Sequence, residues 1–319
     1  MADLTLLEAA KQMEPSRMRG IIQLYADAYQ PMQVAPVINT GGKAAYQWTI
    51  EDELAHSSGG KRNVGSDFTA SYGKVKPYES DCKIYGGKIS ADRYIKHHSP
   101  ASVAFQESSQ VRSHAREFAV DVFEASGGTS LRGINHWVSN DSAYTGQVVS
   151  AGATENGVLP TTTMLDELMS KVDIGPNTFF YMPDVGVRRY QYIGKGQQSN
   201  EPAVRFAPDQ FGVWQNTYNG VPIINLKDGK GTDLLSTTEL DSTSANSSTY
   251  NIYLVSWGVE QASLFSSNEV MNGVPVPQII PATDGSNLVY ETLEYYVGFV
   301  PHRPRCVGVL KHCKNSVTS

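Results

Sequence analysis

Four side chains near the end of the chain, His302, Cys306, His312 and Cys313, are of the types that hold zinc. Zinc sites built from close pairs need spacings such as C-x-x-C or H-x-x-x-H, and these four fit neither. In an extended strand the adjacent His312 and Cys313 face opposite ways. The expectation is a buried Cys306 with surface histidines and no bound metal. Glu51, Asp52 and Glu53 form a carboxylate cluster. General acid–base work needs two carboxyls held at a fixed separation across a cleft, which a mobile ribbon does not provide. These three are expected to meet Arg or Lys of a neighbouring subunit. His97 and His98 have the chemistry of a base or a ligand pair and are read as a solvated strand end. Gly-Lys pairs recur at Gly42-Lys43, Gly60-Lys61, Gly73-Lys74, Gly87-Lys88, Gly194-Lys195 and Gly229-Lys230. None is followed by Ser or Thr, so none cradles phosphate as a P-loop does. The sequence contains neither a G-x-S-x-G elbow nor an H-E-x-x-H helix. No catalytic group and no cofactor is expected.

The bulk composition fits a folded globular chain. Of 319 residues, 40% are hydrophobic and 18% charged, which excludes wholesale disorder and leaves one elaborated unit or two interlocked subdomains. The formal net charge of −6 argues against a sequence-specific nucleic-acid reader, which would be basic over at least one face. Three cysteines, Cys82, Cys306 and Cys313, are too few for a disulfide framework and suggest a reducing cytoplasm. No signal peptide and no membrane-spanning run is visible. The 17 tyrosines are of a type favoured at packed interfaces.

The elements follow from periodicity. Thr5 and Glu8 make a capping box, Pro15 interrupts, and Ser16 can start a second helix. Met18, Ile21, Ile22, Tyr25 and Tyr29 then form one apolar stripe that ends at Pro31 and Pro36. This is either a packed N-terminal helix or an arm that docks on a neighbour. Alternation over 44–54, with Tyr46, Trp48 and Ile50 on one face, predicts a strand. It runs into a polar tip that includes Lys61 and Arg62. Strand-like residues return from Phe68 to Val75 and from Cys82 to Ile95. The sum is a long hairpin with an outgoing limb of about 50 Å, which one domain cannot bury and which is marginal in isolation.

Ser99-Pro100 is a strong helix start. Ala104, Val111, Ala115, Phe118 and Val122 recur at helical spacing up to Gly127-Gly128, which predicts a spine of about 28 residues and roughly 40 Å. Residues 129–160 read as loop with short strands, and Thr161–Val172 as an amphipathic helix. Strands are expected at Phe179–Met182, Val221–Ile224 and Tyr250–Trp257, with a short helix over Asp184–Tyr192. Asp228–Ser248 reads as an exposed loop. Leu288–Val300 and Cys306–Leu310 close the chain beside the spine. The fold class is α+β.

This order, with Leu4-Thr5-Leu6-Leu7-Glu8-Ala9-Ala10-Lys11, Tyr250-Asn251-Ile252-Tyr253-Leu254-Val255-Ser256-Trp257-Gly258 and Glu294-Tyr295-Tyr296-Val297-Gly298-Phe299-Val300-Pro301-His302-Arg303-Pro304, resembles the major capsid protein of tailed bacteriophages, the Hong Kong 97-type fold. The resemblance implies an N-terminal arm (1–43), an extended β-hairpin loop (44–96), a peripheral domain with the spine helix (97–135), an axial domain (136–284) and closing peripheral strands (285–319). It implies self-assembly into the pentamers and hexamers of an icosahedral virion shell, built in the host bacterial cytoplasm around double-stranded DNA that is contacted non-specifically. A separate scaffolding protein, a portal protein and in some cases a decoration protein would be partners, and no membrane would be. The contact residues between subunits would be Glu51, Asp52, Glu53, Lys61 and Arg62 of the hairpin and Met18, Ile21 and Tyr25 of the arm. Some family members crosslink a hairpin Lys to a neighbour's Asn. Lys61 stands at the tip here, but no matching Asn or Glu is identified. The alternatives are an encapsulin-type compartment of the same fold and, from a different class, a metal- or carboxylate-dependent hydrolase.

Overall fold

The computed structural model describes residues 34–53, 63–64, 67, 72–98, 100–152, 157–196, 204–208, 214–227, 231–239, 248–271, 274–283 and 288–316. The helices expected before Val34, with Met18, Ile21 and Tyr25, and the hairpin tip with Lys61 and Arg62 lie outside these residues.

The strands, in chain order, are β1 (Val37–Asn39), β2 (Ala45–Glu53), β3 (Lys74–Asp81), β4 (Lys83–Asp92), β5 (Val148–Ser150), β6 (Thr178–Tyr181), β7 (Val204–Pro208), β8 (Trp214–Tyr218), β9 (Val221–Ile224), β10 (Thr249–Ser256), β11 (Ala262–Ser266), β12 (Val270–Met271), β13 (Val274–Pro275), β14 (Gln278–Thr283), β15 (Leu288–Pro301) and β16 (Val307–Lys314). The helices are α1 (Arg93–His98), α2 (Pro100–Glu124), α3 (Ile134–Asn140), α4 (Thr162–Lys171) and α5 (Asp184–Gly196).

The spine is α2, 25 residues long. Val111, Ala115, Phe118 and Val122 are fully buried, as their spacing requires, but Ala104 is exposed. The spine lies on one face of a five-stranded sheet. That sheet centres on β15, which pairs with β4 along one edge and with β14 and then β11 along the other. Tyr85 and Ile89 of β4 turn toward the helix. Tyr85 meets Phe118 edge-on at 5.3 Å, and its hydroxyl donates to Asp121 Oδ2 at 2.6 Å.

A seven-stranded sheet runs in the order β5-β16-β10-β6-β9-β8-β7. Every residue of β10 is buried, and its alternation divides them between two cores. Tyr250, Ile252 and Leu254 join Leu165 and Leu168 of α4, while Tyr253 and Val255 join the spine's core. At the spine's C-terminal end Phe123 packs on Tyr181 and Tyr253 at 4.8 and 5.3 Å. Thr161 caps α4 by accepting from the Met164 amide.

Several expectations change. Tyr94 to His98 form helix α1 rather than the end of a strand, and His97 and His98 are exposed on it. The second limb of the hairpin continues past the expected end at Val75, with β3 running from Lys74 to Asp81, while Phe68 to Ser71 lie outside the described residues. Its Lys-Val-Lys-Pro sequence conceals the strand, which among the described residues pairs only with β2 and so tolerates Pro77. Within the stretch read as loop and strands, α3 is a helix. Gly133 makes it possible: a Cβ there would stand 2.2 Å from the Asp121 carbonyl oxygen. Of the closing strands, β15 lies in the spine's sheet and β16 in the other, because β16 pairs with β10.

Gly298 of β15 is directly opposite Phe265 of β11, and the ring covers it. A Cβ at Gly298 would lie 2.2 Å from the Phe265 ring. Since Phe265 is itself fully buried, Gly298→Ala is expected to cost about 1–3 kcal/mol through overpacking. Chemical denaturation of the variant measures it. An unchanged midpoint would show that the ring moves aside freely.

Candidate assembly surface

The hairpin is where sequence and structure concentrate unusual surface. Its base is not free. Trp48 of β2 and Tyr78 of β3 are direct cross-strand partners with stacked rings 5.7 Å apart. Both are 8% exposed, because the chain's own body covers them. Trp137 of α3 packs edge-on against Trp48 at 5.4 Å, and Tyr144 meets Tyr78 at 6.2 Å. Tyr46 adds Phe265 and His302 at 5.6 and 5.5 Å. The expectation that the ribbon cannot bury itself in its own domain therefore fails for the base, because alternation turns Tyr46, Trp48 and Ile50 to one face and α3 receives that face.

A polar rail runs along β3 beside this cluster. Lys76 Nζ donates to Ser142 Oγ at 3.4 Å and Tyr78 OH to Asp141 Oδ1 at 3.2 Å. Arg132 donates to the Glu79 carbonyl at 3.0 Å and pairs with Asp81 at 3.5 Å. Ser80, fully buried, donates to the Phe299 carbonyl at 3.0 Å. The exposed ion pair is worth little alone, but together these contacts hold β3 against the body.

Beyond Ile50 the character reverses. Glu51 is exposed and is paired in register with Val75, which is 65% exposed. Asp52 and Glu53 continue β2, with Glu53 opposite Lys74 in the register. Tyr72 is 84% exposed and Val64 fully so. Exposed apolar side chains beside charges are of the kind that meet a second macromolecule.

The four residues with zinc-ligand chemistry do not converge. His302 packs on Tyr46 and Trp48, with its Nε2 2.9 Å from Ser263 Oγ, and burial holds its pKa below the usual histidine range. It is half-buried rather than a surface histidine. Cys306 lies in the spine's core, its thiol pushed up to about 12 by burial. Cys313 belongs to the other core. His312 adopts φ 62 at a bulge where Lys311 and His312 stand opposite Asn251, so the strand is not regularly extended there. Among the described residues no three His, Cys, Asp or Glu gather as a metal site, and no helix is long and apolar enough to cross a membrane.

Sequence reasoning missed Trp137, Tyr144 and Asp141, which receive the hairpin. Ile134, Trp137 and Val138 do carry a helical i, i+3, i+4 spacing, but over a stretch of only seven residues.

A long spine across one sheet, a β-hairpin and a second sheet sharing the core define the Hong Kong 97-type fold, and the chain has that fold. Solved structures agree. The capsid of cyanophage A-1(L) matches with a TM-score of 0.61 and 14% identity over 90% of this chain and 93% of that one. The SrpI encapsulin of Synechococcus elongatus matches with a TM-score of 0.61 and 14% identity, covering 90% and 88%. The capsid of a native GTA particle matches at 0.60 with 12% identity, covering 90% of each chain. At these identities the likeness is one of fold. No family model matches the chain, and no curated protein matches it in sequence.

Proposed function

We propose that this chain is a major capsid protein that assembles, through repeated contacts between copies, into the pentamers and hexamers of an icosahedral phage head enclosing double-stranded DNA. The observation that carries the reading is the hairpin: its base is clamped to the body, while Tyr72, Val75 and Val64 stand exposed beyond it. On a fold shared with capsid and encapsulin shells, such a limb supplies an adaptable contact, and the spine and sheets supply the rigid part. Repeated heterologous contacts of this kind close into shells. The net charge of −6 suits a wall that releases packaged DNA. A scaffolding protein, a portal protein and decoration proteins would be partners in the host cytoplasm, and the role is structural rather than catalytic.

Negative-stain electron microscopy after size-exclusion chromatography tests this, with and without a candidate scaffolding protein. Closed polyhedra or ring-shaped capsomers are expected, and a monomer under every condition would overturn the reading. An encapsulin-type compartment is the second reading, favoured by the match to the SrpI shell. Nuclease-protected DNA inside particles supports the phage head, and a protein cargo supports the compartment.

A further inference from the structure

The C-terminal end of the spine joins the rest of the molecule through a half-buried acid. Glu124 is the last residue of α2, and its Oε1 accepts a hydrogen bond from the Ser236 backbone amide at 2.5 Å. Ser236 lies in the connection of residues 231–239, which is seated by buried Leu235, by the Leu234 amide donating to the Leu226 carbonyl at 2.8 Å, and by Asp233 accepting from the Asp184 amide at 2.8 Å. The Glu124 carboxyl is the spine's own hold on that connection.

The surroundings of the carboxyl are unfavourable to a negative charge. It sits at a helix C-terminus, where the macrodipole disfavours anions, and α2 has no basic residue in its last turn. Asp121, on the same helix, faces it with a carboxyl that already accepts from Tyr85. Glu239, from the far end of the connection, faces it as a second carboxylate. Fully buried Tyr253 of β10 is near enough for the two groups to interact electrostatically. The neighbouring cation, Lys311 of β16, interacts with Glu239, and its Nζ donates to Ser139 Oγ at 2.7 Å.

We propose that Glu124 is a proton-operated latch: protonated, it keeps residues 231–239 seated on the end of the spine, and ionised, it loosens them. Burial, helped by Glu239 and Asp121 and opposed by the Ser236 amide, pushes the carboxyl up to about 7. When the connection lifts away, the acid returns toward the ordinary value of 4.5. The seated form therefore binds the proton more tightly. By linkage the latch is strongest below the ordinary value and is lost as pH rises through about 7. The latch is a property of the single chain and does not depend on the shell reading.

Hydrogen exchange of the Ser236 amide in the full-length protein, corrected for intrinsic exchange and measured where opening is at equilibrium, reads the latch directly. Between pH 6 and pH 8 the opening constant is expected to rise roughly tenfold in the unaltered chain. Glu124→Gln keeps an acceptor for the amide and cannot ionise, so its opening constant should stay flat over the same range. Glu124→Ala removes the acceptor and should open more at every pH. An unaltered chain with flat opening, or a Glu124→Gln variant that keeps the tenfold rise, overturns the proposal. The amides of β10 serve as an internal reference for global unfolding.

Discussion

A chain lacking residues 55–67 is expected to fold and to form soluble subunits or capsomers, but no closed shells. The deletion spares the contacts that hold the hairpin to the body. Trp48 and Tyr78 lie below the cut, as do the bonds of Lys76, Tyr78, Ser80 and Arg132. The unfolding free energy, read from denaturation curves, should therefore shift by no more than about 0.5 kcal/mol, the range typical of changes away from packed groups. Assembly should respond far more strongly. If the hairpin's far end provides the overlapping contact between copies, every interface in a shell loses it at once, and closed assembly multiplies the deficit. Size-exclusion chromatography with light scattering, followed by electron microscopy, separates the outcomes. Shells of normal yield from the deleted chain would count against the hairpin as the assembly contact. A collapsed midpoint would instead show that the tip supports the fold.

The spine, β10 and the base of the hairpin were legible because each is long enough for its period to dominate. Val111, Ala115, Phe118 and Val122 repeat at helical spacing over many turns, and Tyr46, Trp48 and Ile50 alternate cleanly. The elements that were misread are short or governed by distant contacts. Helix α1 is six residues of Arg-Tyr-Ile-Lys-His-His, which local propensity leaves undecided between strand and helix. Helix α3 depends on Gly133 fitting against the Asp121 carbonyl, a close approach that no local pattern announces. The destination of β16 depends on its pairing with β10, so one strand boundary decides which sheet it enters. The candidate surface divides the same way. Glu51 was identifiable as an exposed charge on a ribbon, but that the ribbon's base has a seat of its own on Trp137 and Tyr144 is a fact of tertiary packing.

Trp48→Ala should release that seat. The substitution removes the ring that stacks on Tyr78 and packs edge-on against Trp137 and His302. Truncating a buried aromatic of this size costs about 3–5 kcal/mol. An isolated two-stranded ribbon is marginal in water, so the loss should appear first as local undocking and not as unfolding of the whole chain. Amides of β2 and β3 should lose protection by roughly 100-fold or more, a factor equivalent to the lower end of that cost. Amides of β10, every residue of which is buried and paired between β16 and β6, should keep theirs. Trp48→Phe retains an aromatic face for Tyr78 and should recover most of the protection. The consequence for assembly follows from preorganisation. A hairpin clamped at its base presents its far end in one direction before any partner arrives, whereas a released one must be ordered at each contact it makes. Subunits carrying Trp48→Ala should therefore remain folded yet assemble more slowly and into fewer closed particles, with Trp48→Phe close to the unaltered chain. If Trp48→Ala undocks the hairpin by hydrogen exchange yet yields shells at the normal rate and size, the direction of the hairpin is set by its neighbours and the aromatic seat serves the subunit alone.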